Sequence, residues 1–278
     1  TTTCSRRESP CLCSRPSQPW SIGRSQRASP PPHARPLPAR ARSAGPIIVD
    51  PLFMDHGLKI AVWNVRGLNS RARRSAIRSL LGTTSAPIVC LQETKMALIY
   101  SPIVLDILGS EFDDYTYLSA DGTRGGILLA LKSRVVTISD PLLPQNALTA
   151  KVFVASGTPG WLTMVYGPQD DADKILFLQE LRDIRAACPG SWMLCGGFNL
   201  IYRAEDKNMG GLHRRMMGRF RRSINDPAIK EIYLNGRRFT WSNEQSPPTL
   251  VHLDRVLCTF DWEDAHGECH LRCLALVV

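Results

Sequence analysis

The sequence predicts a mixed α/β fold, in which outer helices cover mixed or antiparallel β-sheets over about 220 residues. Two observations support this prediction. Strand-like and helix-like segments alternate irregularly after Leu58, with hairpins in place of strict strand–helix–strand units. Several strand-like segments are near-continuous apolar runs, which are typical of strands buried on both faces. Hydrophobic residues make up 44% of the chain and charged residues 21%, which favours a packed structure.

The first 56 residues are predicted to be a disordered basic tail, and the folded domain is expected over residues 57–278. Up to Pro46 the chain contains nine prolines and eight serines and shows no helix or strand periodicity. Residues 1–56 contain eight arginines and no lysine, so much of the net charge of +9 lies there. A plain extension fits this composition better than a phosphate-binding arm or an organelle transit peptide, and we expect a nuclear or cytoplasmic protein.

The first elements of the domain are expected soon after the tail. The run KIAVW at 59–63 predicts a strand that ends at Asn64. Residues 70–81 predict a helix with an apolar side and an arginine-rich remainder. The run PIVCL at 87–91 predicts a buried strand that leads to Glu93.

The middle of the chain predicts strands, a hairpin and a long helix. Strands are expected at 115–119, 126–131, 135–139, 149–155 and 161–166. The last two flank a five-residue hairpin loop. Residues 171–187 predict a helix with one apolar face, which carries Ile175, Leu178, Leu181 and Ile184.

The remaining part predicts one more buried strand, a cationic helix and three further strands. SWMLC at 191–195 predicts a strand that is followed by GGFN at 196–199. The helix is expected over 213–225, where the sequence is rich in arginine. Further strands are expected at 238–242, 249–257 and 271–278.

Metal and membrane signals are weak. The nine cysteines include no C-x-x-C pair, which favours a reducing compartment. His266, Cys269, His270 and Cys273 suggest zinc, but Cys269 and Cys273 alternate as in a strand, which disfavours a zinc site. The most apolar stretch, at 96–109, is too short to span a bilayer, so no membrane association is expected.

Polar residues follow apolar strands at four places: Asn64, Glu93, Asn199 and Asp254. If those strand ends converge, they form one pocket of carboxylate and amide groups. Such a pocket suits Mg²⁺, which prefers oxygen ligands, together with a phosphate.

Five motifs carry a resemblance to a known family: WNVRG at 63–67, LQET at 91–94, VYGP at 165–168, GGFN at 196–199 and HLDRV at 252–256. In this order and spacing the chain resembles the endonuclease/exonuclease/phosphatase superfamily over residues 57–278. Within that superfamily it is similar to the apurinic-type endonuclease domain of plant LINE retrotransposons. GRRFTWSNEQ at 236–245 adds to this likeness.

The resemblance implies a four-layer sandwich, two mixed β-sheets flanked by helices, that hydrolyses phosphodiesters with Mg²⁺. It implies that Glu93 binds the metal, with Asn64 beside it. Tyr166 would contact the phosphate, and Asn199 would hydrogen-bond one of its oxygens. Asp254 would orient a catalytic histidine. These roles agree with phosphoryl chemistry, which depends on positioning and on the stabilisation of oxygens.

Two departures from the family pattern point to impaired catalysis. Gly197 stands where the family has the aspartate that aligns the attacking water. The family's terminal Ser-Asp-His triplet would begin where this chain stops, so we expect a truncated domain. Substitution of the lost groups by nearby carboxylates or histidines is disfavoured on their positions: Glu205, Asp206, His252, His266 and His270. Loss of one general base typically costs about 10²–10⁴-fold in rate.

The sequence therefore predicts a degenerate, retroelement-derived endonuclease domain. A module that binds nucleic acid without cleaving it is the main alternative, and a phosphatase of small substrates is a third. The arginines of the cationic helix are expected to give weak, non-specific DNA binding. They are Arg214, Arg215, Arg219 and Arg222. No obligate protein partner is indicated.

Overall fold

The computed structural model describes residues 45–51, 58–122, 124–154, 157–225, 228–266 and 269–274. Its strands, in chain order, are β1 (Ile47–Pro51), β2 (Ile60–Asn64), β3 (Ile88–Gln92), β4 (Asp114–Asp121), β5 (Arg124–Leu131), β6 (Val136–Leu142), β7 (Ala147–Val154), β8 (Gly160–Tyr166), β9 (Trp192–Gly197), β10 (Ile229–Glu231), β11 (Leu234–Asn235), β12 (Trp241–Ser242), β13 (Leu250–Val251), β14 (Asp254–Thr259) and β15 (Cys269–Cys273). Its α-helices are α1 (Arg71–Gly82), α2 (Ser101–Leu108), α3 (Asp171–Ala187), α4 (Arg214–Asn225) and α5 (Phe260–His266). A short 3-10 helix lies at Ala204–Asp206.

Two large mixed sheets are formed. The seven-stranded sheet has the order β11-β15-β1-β2-β3-β5-β4, and the six-stranded sheet has the order β10-β14-β9-β8-β7-β6. Strands β2 and β3 run parallel in the first sheet, and β8 and β9 run parallel in the second. Strands β12 and β13 form a separate two-stranded ribbon. The prediction of mixed sheets is confirmed.

The two sheets pack face to face, because alternate residues of their central strands point into a shared core. Val62 of β2 and Cys195 of β9 belong to this inner cluster, which draws on both sheets. Their neighbours point the opposite way: Trp63 lies in the cluster beneath α1 and α2, and Leu194 lies in the cluster beneath α3 and α4. Both faces of each central strand are therefore buried, and this explains the continuous apolar runs. The resulting helix–sheet–sheet–helix arrangement confirms the four-layer prediction.

The long helix α3 has the predicted bounds, but its buried face differs slightly from the prediction. Asp170 caps the helix by accepting a hydrogen bond from the Ala172 N–H at 2.8 Å. Phe177 is fully buried, whereas Ile175 is exposed. Leu178, Leu181 and Ile184 are buried as predicted, and Phe177, whose ring packs against Phe198, takes the place of Ile175.

The predicted start of the folded part at residue 57 is too late. Strand β1 lies within the segment assigned to the tail, yet it pairs with β2 on one side and β15 on the other. Ile48 and Val49 are fully buried. A three-residue apolar run next to a proline-rich basic segment is a weak strand signal, and one of its two partner strands, β15, is distant in sequence. Residues 1–44 and 52–56 of the predicted tail lie outside the described residues.

The last third of the chain is more finely divided than predicted. The strand expected at 249–257 is two strands, β13 and β14, and the one expected at 238–242 shrinks to β12. Strand β15 ends at Cys273, while residues 275–278 lie outside the described residues. Cys269 and Cys273 are in a strand, as their alternation predicts. Among the described helices, none is long and apolar enough to cross a membrane.

Candidate active site

The polar strand-end residues meet at one end of the sandwich, and each sheet supplies part of the set. In the first sheet, Asn64 at the end of β2 is the register partner of Gln92 at the end of β3. In the second sheet, Tyr166 and Asp254 flank Gly197 on neighbouring strands. The parallel pairs β2–β3 and β8–β9 thus end at the same edge, where β14 begins. The predicted convergence of strand ends is therefore present in the structure.

Gln92 joins the two halves of the site across the gap between the sheets. Its side chain is fully buried, and its Oε1 accepts a hydrogen bond from the Gly197 N–H at 3.2 Å. Gly196 makes room for this amide, because a Cβ there would lie 2.0 Å from Gln92 Nε2. Within the described residues, that Nε2 atom has no hydrogen-bond partner. The sequence analysis did not select Gln92, although it stands next to Glu93 in the LQET motif.

Glu93 follows β3 on a tight turn of the backbone and faces both a cation and a phenol. Its φ is +54°, a left-handed conformation that turns the chain sharply after the strand. Lys95 Nζ lies 2.9 Å from its Oε1. Tyr166 shares a hydrogen bond with the Glu93 carboxylate, and burial together with that negative charge raises the pKa of Tyr166. Tyr166 therefore remains a neutral phenol at physiological pH.

Asp254 is the second carboxylate of the site. Burial raises the pKa of Asp254 above its usual range, although a hydrogen bond from Thr240 and the charges of His252 and Arg66 oppose this effect. The Thr240 hydroxyl oxygen also accepts a hydrogen bond from the Asp254 N–H at 3.0 Å. Thr240 thus positions both the backbone and the carboxylate of Asp254. It was not predicted as a site residue, but it belongs to the GRRFTWSNEQ segment.

Asn64 and Asn199 are the two amides of the site. Asn64 Oδ1 accepts a hydrogen bond from the Arg66 N–H at 3.2 Å. Asn199 has a φ of +53°, and its Nδ2 donates to the carbonyl of Gly167. An amide nitrogen carries two N–H groups, so Asn199 retains a second donor.

Gly197 lies at the centre of this group. A Cβ at position 197 would lie 3.2 Å from Asp254 Oδ1, 3.8 Å from Gln92 Oε1 and 3.9 Å from the Tyr166 ring. A side chain at this position would therefore point into the site. The chain places only a hydrogen atom there.

Two of the side chains considered as substitutes, Asp206 and His252, have partners elsewhere. Asp206 accepts hydrogen bonds from Arg255 and from the N–H groups of Tyr202 and Arg203. His252 Nε2 lies 3.5 Å from Glu231. The contacts of Asp206 hold the loop after β9. Both sets of contacts agree with the expectation that Asp206 does not replace the missing aspartate and that His252 does not replace the missing histidine.

A groove of about 720 Å³ opens beside Glu93 and Tyr166. It lies between the β4–β5 hairpin and the start of α3. Its charged lining residues are Glu93, Asp121, Asp170, Asp173, Lys95 and Arg124. The wall formed by α3 is acidic, so a polyanionic strand would have to be held from another side.

The cationic helix α4 begins close to this acidic wall. His213, just before α4, lies 3.5 Å from Asp171 at the start of α3. Arg214, Arg215 and Arg222 are exposed and Arg219 is half-buried. Within the described residues, these four arginines form no ion pair with a carboxylate. The helix packs through Met216, Phe220 and Ile224 instead, which leaves the guanidinium groups available.

The donor set fits Mg²⁺ but not a metal held by protein ligands alone. Among the described residues there is no group of three or more His, Cys, Asp and Glu side chains that could hold a metal ion. Glu93 offers a carboxylate and Asn64 an amide oxygen near the same edge. Mg²⁺ is commonly bound by one or two carboxylates together with waters and substrate phosphates, so this sparse set is compatible with it.

Comparisons with known proteins give a family and a fold. A family model described as the Endonuclease/Exonuclease/phosphatase family matches residues 61–274. No curated protein matches the sequence significantly.

Solved structures share the fold at low sequence identity. TDP2 from D. rerio, complexed with a single-strand DNA product, has a TM-score of 0.54 and 20% identity, and the alignment covers 74% of this chain and 84% of that one. AP endonuclease LMAP from Leishmania major has a TM-score of 0.50 and 14% identity, with 78% and 80% covered. The APE2 catalytic domain from Xenopus laevis has a TM-score of 0.50 and 15% identity, with 74% and 83% covered. At these identities the likeness concerns the fold alone.

Proposed function

The chain belongs to the endonuclease/exonuclease/phosphatase family, and we propose that it is a retroelement-derived, Mg²⁺-dependent DNA endonuclease domain whose cleavage is impaired. One observation carries this proposal. Carboxylate, amide and phenol groups from both sheets surround Gly197, and the position that should align the attacking water has no side chain.

The side chains present support the binding part of the reaction. When bound, Mg²⁺ would neutralise negative charge on the phosphate oxygens. Glu93 and Asn64 would hold the ion. Tyr166, whose phenolic proton goes to the Glu93 carboxylate in this structure, would turn that proton to a phosphate oxygen once Glu93 holds the ion, and its raised pKa keeps the proton in place. The second N–H of Asn199 would contact another oxygen.

The impairment follows from the few side chains that remain to align and deprotonate the attacking water. Asp254 is the carboxylate nearest to a side chain at position 197, but it is already engaged by Thr240. A water without a positioned carboxylate is both poorly aligned and poorly deprotonated, which typically costs about 10²–10⁴-fold in rate.

The retroelement origin is the most specific part of the proposal. It is supported by the five motifs and by the GRRFTWSNEQ segment, which resemble plant LINE endonuclease domains. Thr240, which holds Asp254, comes from that segment, so the segment contributes to the site as well as to the likeness.

A module that binds nucleic acid without cleaving it is the second candidate. The unpaired arginines of α4 favour it, because their charge does not depend on the residues of the active site. A phosphatase of small substrates is supported less well, since a helix with an exposed cationic surface contributes nothing to binding a small phosphoester.

A plasmid-nicking assay with the full chain tests the proposal. We expect slow nicking in Mg²⁺ that stops in EDTA and falls at least tenfold in Glu93→Gln. Glu111→Gln is the matched control, because Glu111 is an exposed carboxylate whose ion-pair partners, among the residues that the structure describes, are Lys132 and Arg134. Binding of DNA with no Mg²⁺-dependent nicking would favour the non-cleaving module. Nicking that is as fast in Glu93→Gln as in the wild type would contradict the assigned metal ligand.

A further inference from the structure

A second cavity lies far from the active site, between helices α3 and α4. It has a volume of about 250 Å³, and we call it the helix-pair cavity. Its floor is formed by Leu181, Trp192, Leu194, Ile224 and Ile229. Leu194 is fully buried and Trp192 is 1% exposed, so the floor is a firmly packed part of the six-stranded sheet and its helices.

The rim of the helix-pair cavity is positively charged. Arg182 and Arg185, one helical turn apart on α3, line it together with Ser223 of α4. Arg182 donates to the Ser223 hydroxyl at 3.0 Å, and Arg185 lies over the Trp192 ring at 5.6 Å from its centroid. Among the described residues, none that lines the cavity is acidic.

The hydrogen bonds of the two arginines leave donors unused. Arg185 uses one nitrogen for the carbonyls of Cys188 and Gly190, and Arg182 donates to Gln179 and Ser223. A guanidinium group has five N–H donors, so each arginine retains some for an anion. Both are already held in place by neutral partners, which lowers the entropic cost of binding one.

The helix-pair cavity is separate from the proposed active site. Trp192 begins β9 and Gly197 ends it, so the two sites lie about 17 Å apart along this strand at 3.3 Å per residue. The catalytic proposal makes no use of the cavity, and an independent ligand can occupy it.

We infer that the helix-pair cavity binds a small amphipathic carboxylate, with its alkyl body on the apolar floor and its carboxylate at Arg182 and Arg185. The charge of the rim selects an anion, and the floor selects an apolar body. A volume of about 250 Å³ is at the small end of ligand sites, which suits about ten non-hydrogen atoms. Octanoate has this size and this chemistry.

Calorimetric titration of the full chain with butanoate, hexanoate and octanoate tests the inference. Each methylene group that enters the cavity should tighten binding roughly fourfold, so octanoate should bind best. The matched uncharged probe is 1-octanol, which we expect to bind at least tenfold more weakly than octanoate because it cannot pair with the guanidinium groups.

Substitutions on the rim test the role of charge. Arg182→Gln should weaken octanoate binding about tenfold and leave 1-octanol unaffected, whereas Arg182→Lys should retain most of the affinity. Arg134→Gln is the control, because Arg134 is an exposed arginine that pairs with Glu111 elsewhere on the surface. Arg182 is itself exposed, so its variants should keep the melting temperature of the wild type.

Three results would overturn the inference. They are no heat of binding with millimolar octanoate, equal affinity for octanoate and 1-octanol, and octanoate binding that is unchanged in Arg182→Gln. None of these results bears on DNA nicking, so the proposed function stands or falls by its own assay.

Discussion

Gly196 and Gly197 are neighbours at the end of β9, but a methyl group would meet different surroundings at each. At position 196 it would lie 2.0 Å from Gln92 Nε2 and 2.3 Å from the Val165 carbonyl, at a φ of +131°. At position 197 its nearest contact would be Asp254 Oδ1 at 3.2 Å. The first glycine is thus required by the fold, while the second leaves room beside the side chains of the proposed active site.

We therefore expect Gly196→Ala to lower the free energy of unfolding by about 3 kcal/mol or more, because backbone strain and the displacement of Gln92 add together. Gly197→Ala, the matched control, should cost about 1 kcal/mol or less. Urea denaturation of both variants measures the difference. Equal losses would mean that Gln92 moves away easily and does not join the sheets.

Asp254 gives the site a pH-dependent cost in stability. Burial raises the pKa of Asp254 in the folded state, so folding favours its protonated form. That stabilising contribution is complete below the unfolded pKa of about 3.9 and is lost as pH rises through the higher folded pKa. At neutral pH the buried charge therefore destabilises the fold.

Asp254→Asn removes this charge, so we expect the variant to be more stable than the wild type at pH 7.5, by an amount on the order of 1 kcal/mol. The difference should vanish as pH falls towards about 4. Thermal melts from pH 4 to pH 8 measure it. A variant that is less stable at neutral pH would show that the hydrogen bond from Thr240 outweighs burial.

At the scale of the element, local pattern predicted the central strands well. Strands β2, β3 and β9 lie between two apolar layers, so nearly every residue in them is hydrophobic, and helix α3 has a cap and a periodic face. The polar residues that follow such strands could be located for the same reason.

Distant pairing could not be predicted. Gln92 interacts with Gly197, 105 residues away, and a buried glutamine in a strand gives no local sign of its role. Strand β1 was missed for a related reason, since one of its partners, β15, lies about 220 residues later in the chain. Helix α2 was not predicted, because the apolar stretch that contains it shows no clear helical periodicity.

Helix α4 carries a prediction about DNA binding. Arg214 and Arg215 are exposed at its start and form no ion pair among the described residues, so each can release a counterion from a DNA phosphate. Replacing either by Gln should weaken binding to any sequence and reduce the salt slope by about 0.9. Fluorescence anisotropy between 50 and 200 mM salt measures this.

Arg134→Gln is the matched control for these two variants, since Arg134 is exposed but paired with Glu111. It should leave the slope unchanged. A slope that falls equally in all three variants would mean that overall charge, and not helix α4, determines binding.

At the scale of the whole molecule, the folded part begins with β1. It lies between β2 and β15, so its loss would divide the seven-stranded sheet and leave two unpaired edges. We expect deletion of residues 1–56 to give aggregated protein, while deletion of residues 1–44 should leave the melting temperature within a few degrees of that of the full chain.

Gel filtration and thermal melting of the two deletion variants test this prediction. They share the loss of the basic segment and differ only in residues 45–56, so the difference isolates the strand. A soluble, cooperatively melting protein that starts at residue 57 would show that β2 and β15 can close the sheet without it.

The pairing of β1 also has a consequence for synthesis on the ribosome. Val49 is synthesised about 220 residues before its partner Leu271. At translation rates of about 5–20 residues per second, this takes roughly ten to forty seconds. Throughout that time the apolar residues Ile47, Ile48 and Val49 lack β15, the strand that pairs with one edge of β1. The nascent chain should therefore be a client of ribosome-associated chaperones, and slower translation should lower its soluble yield.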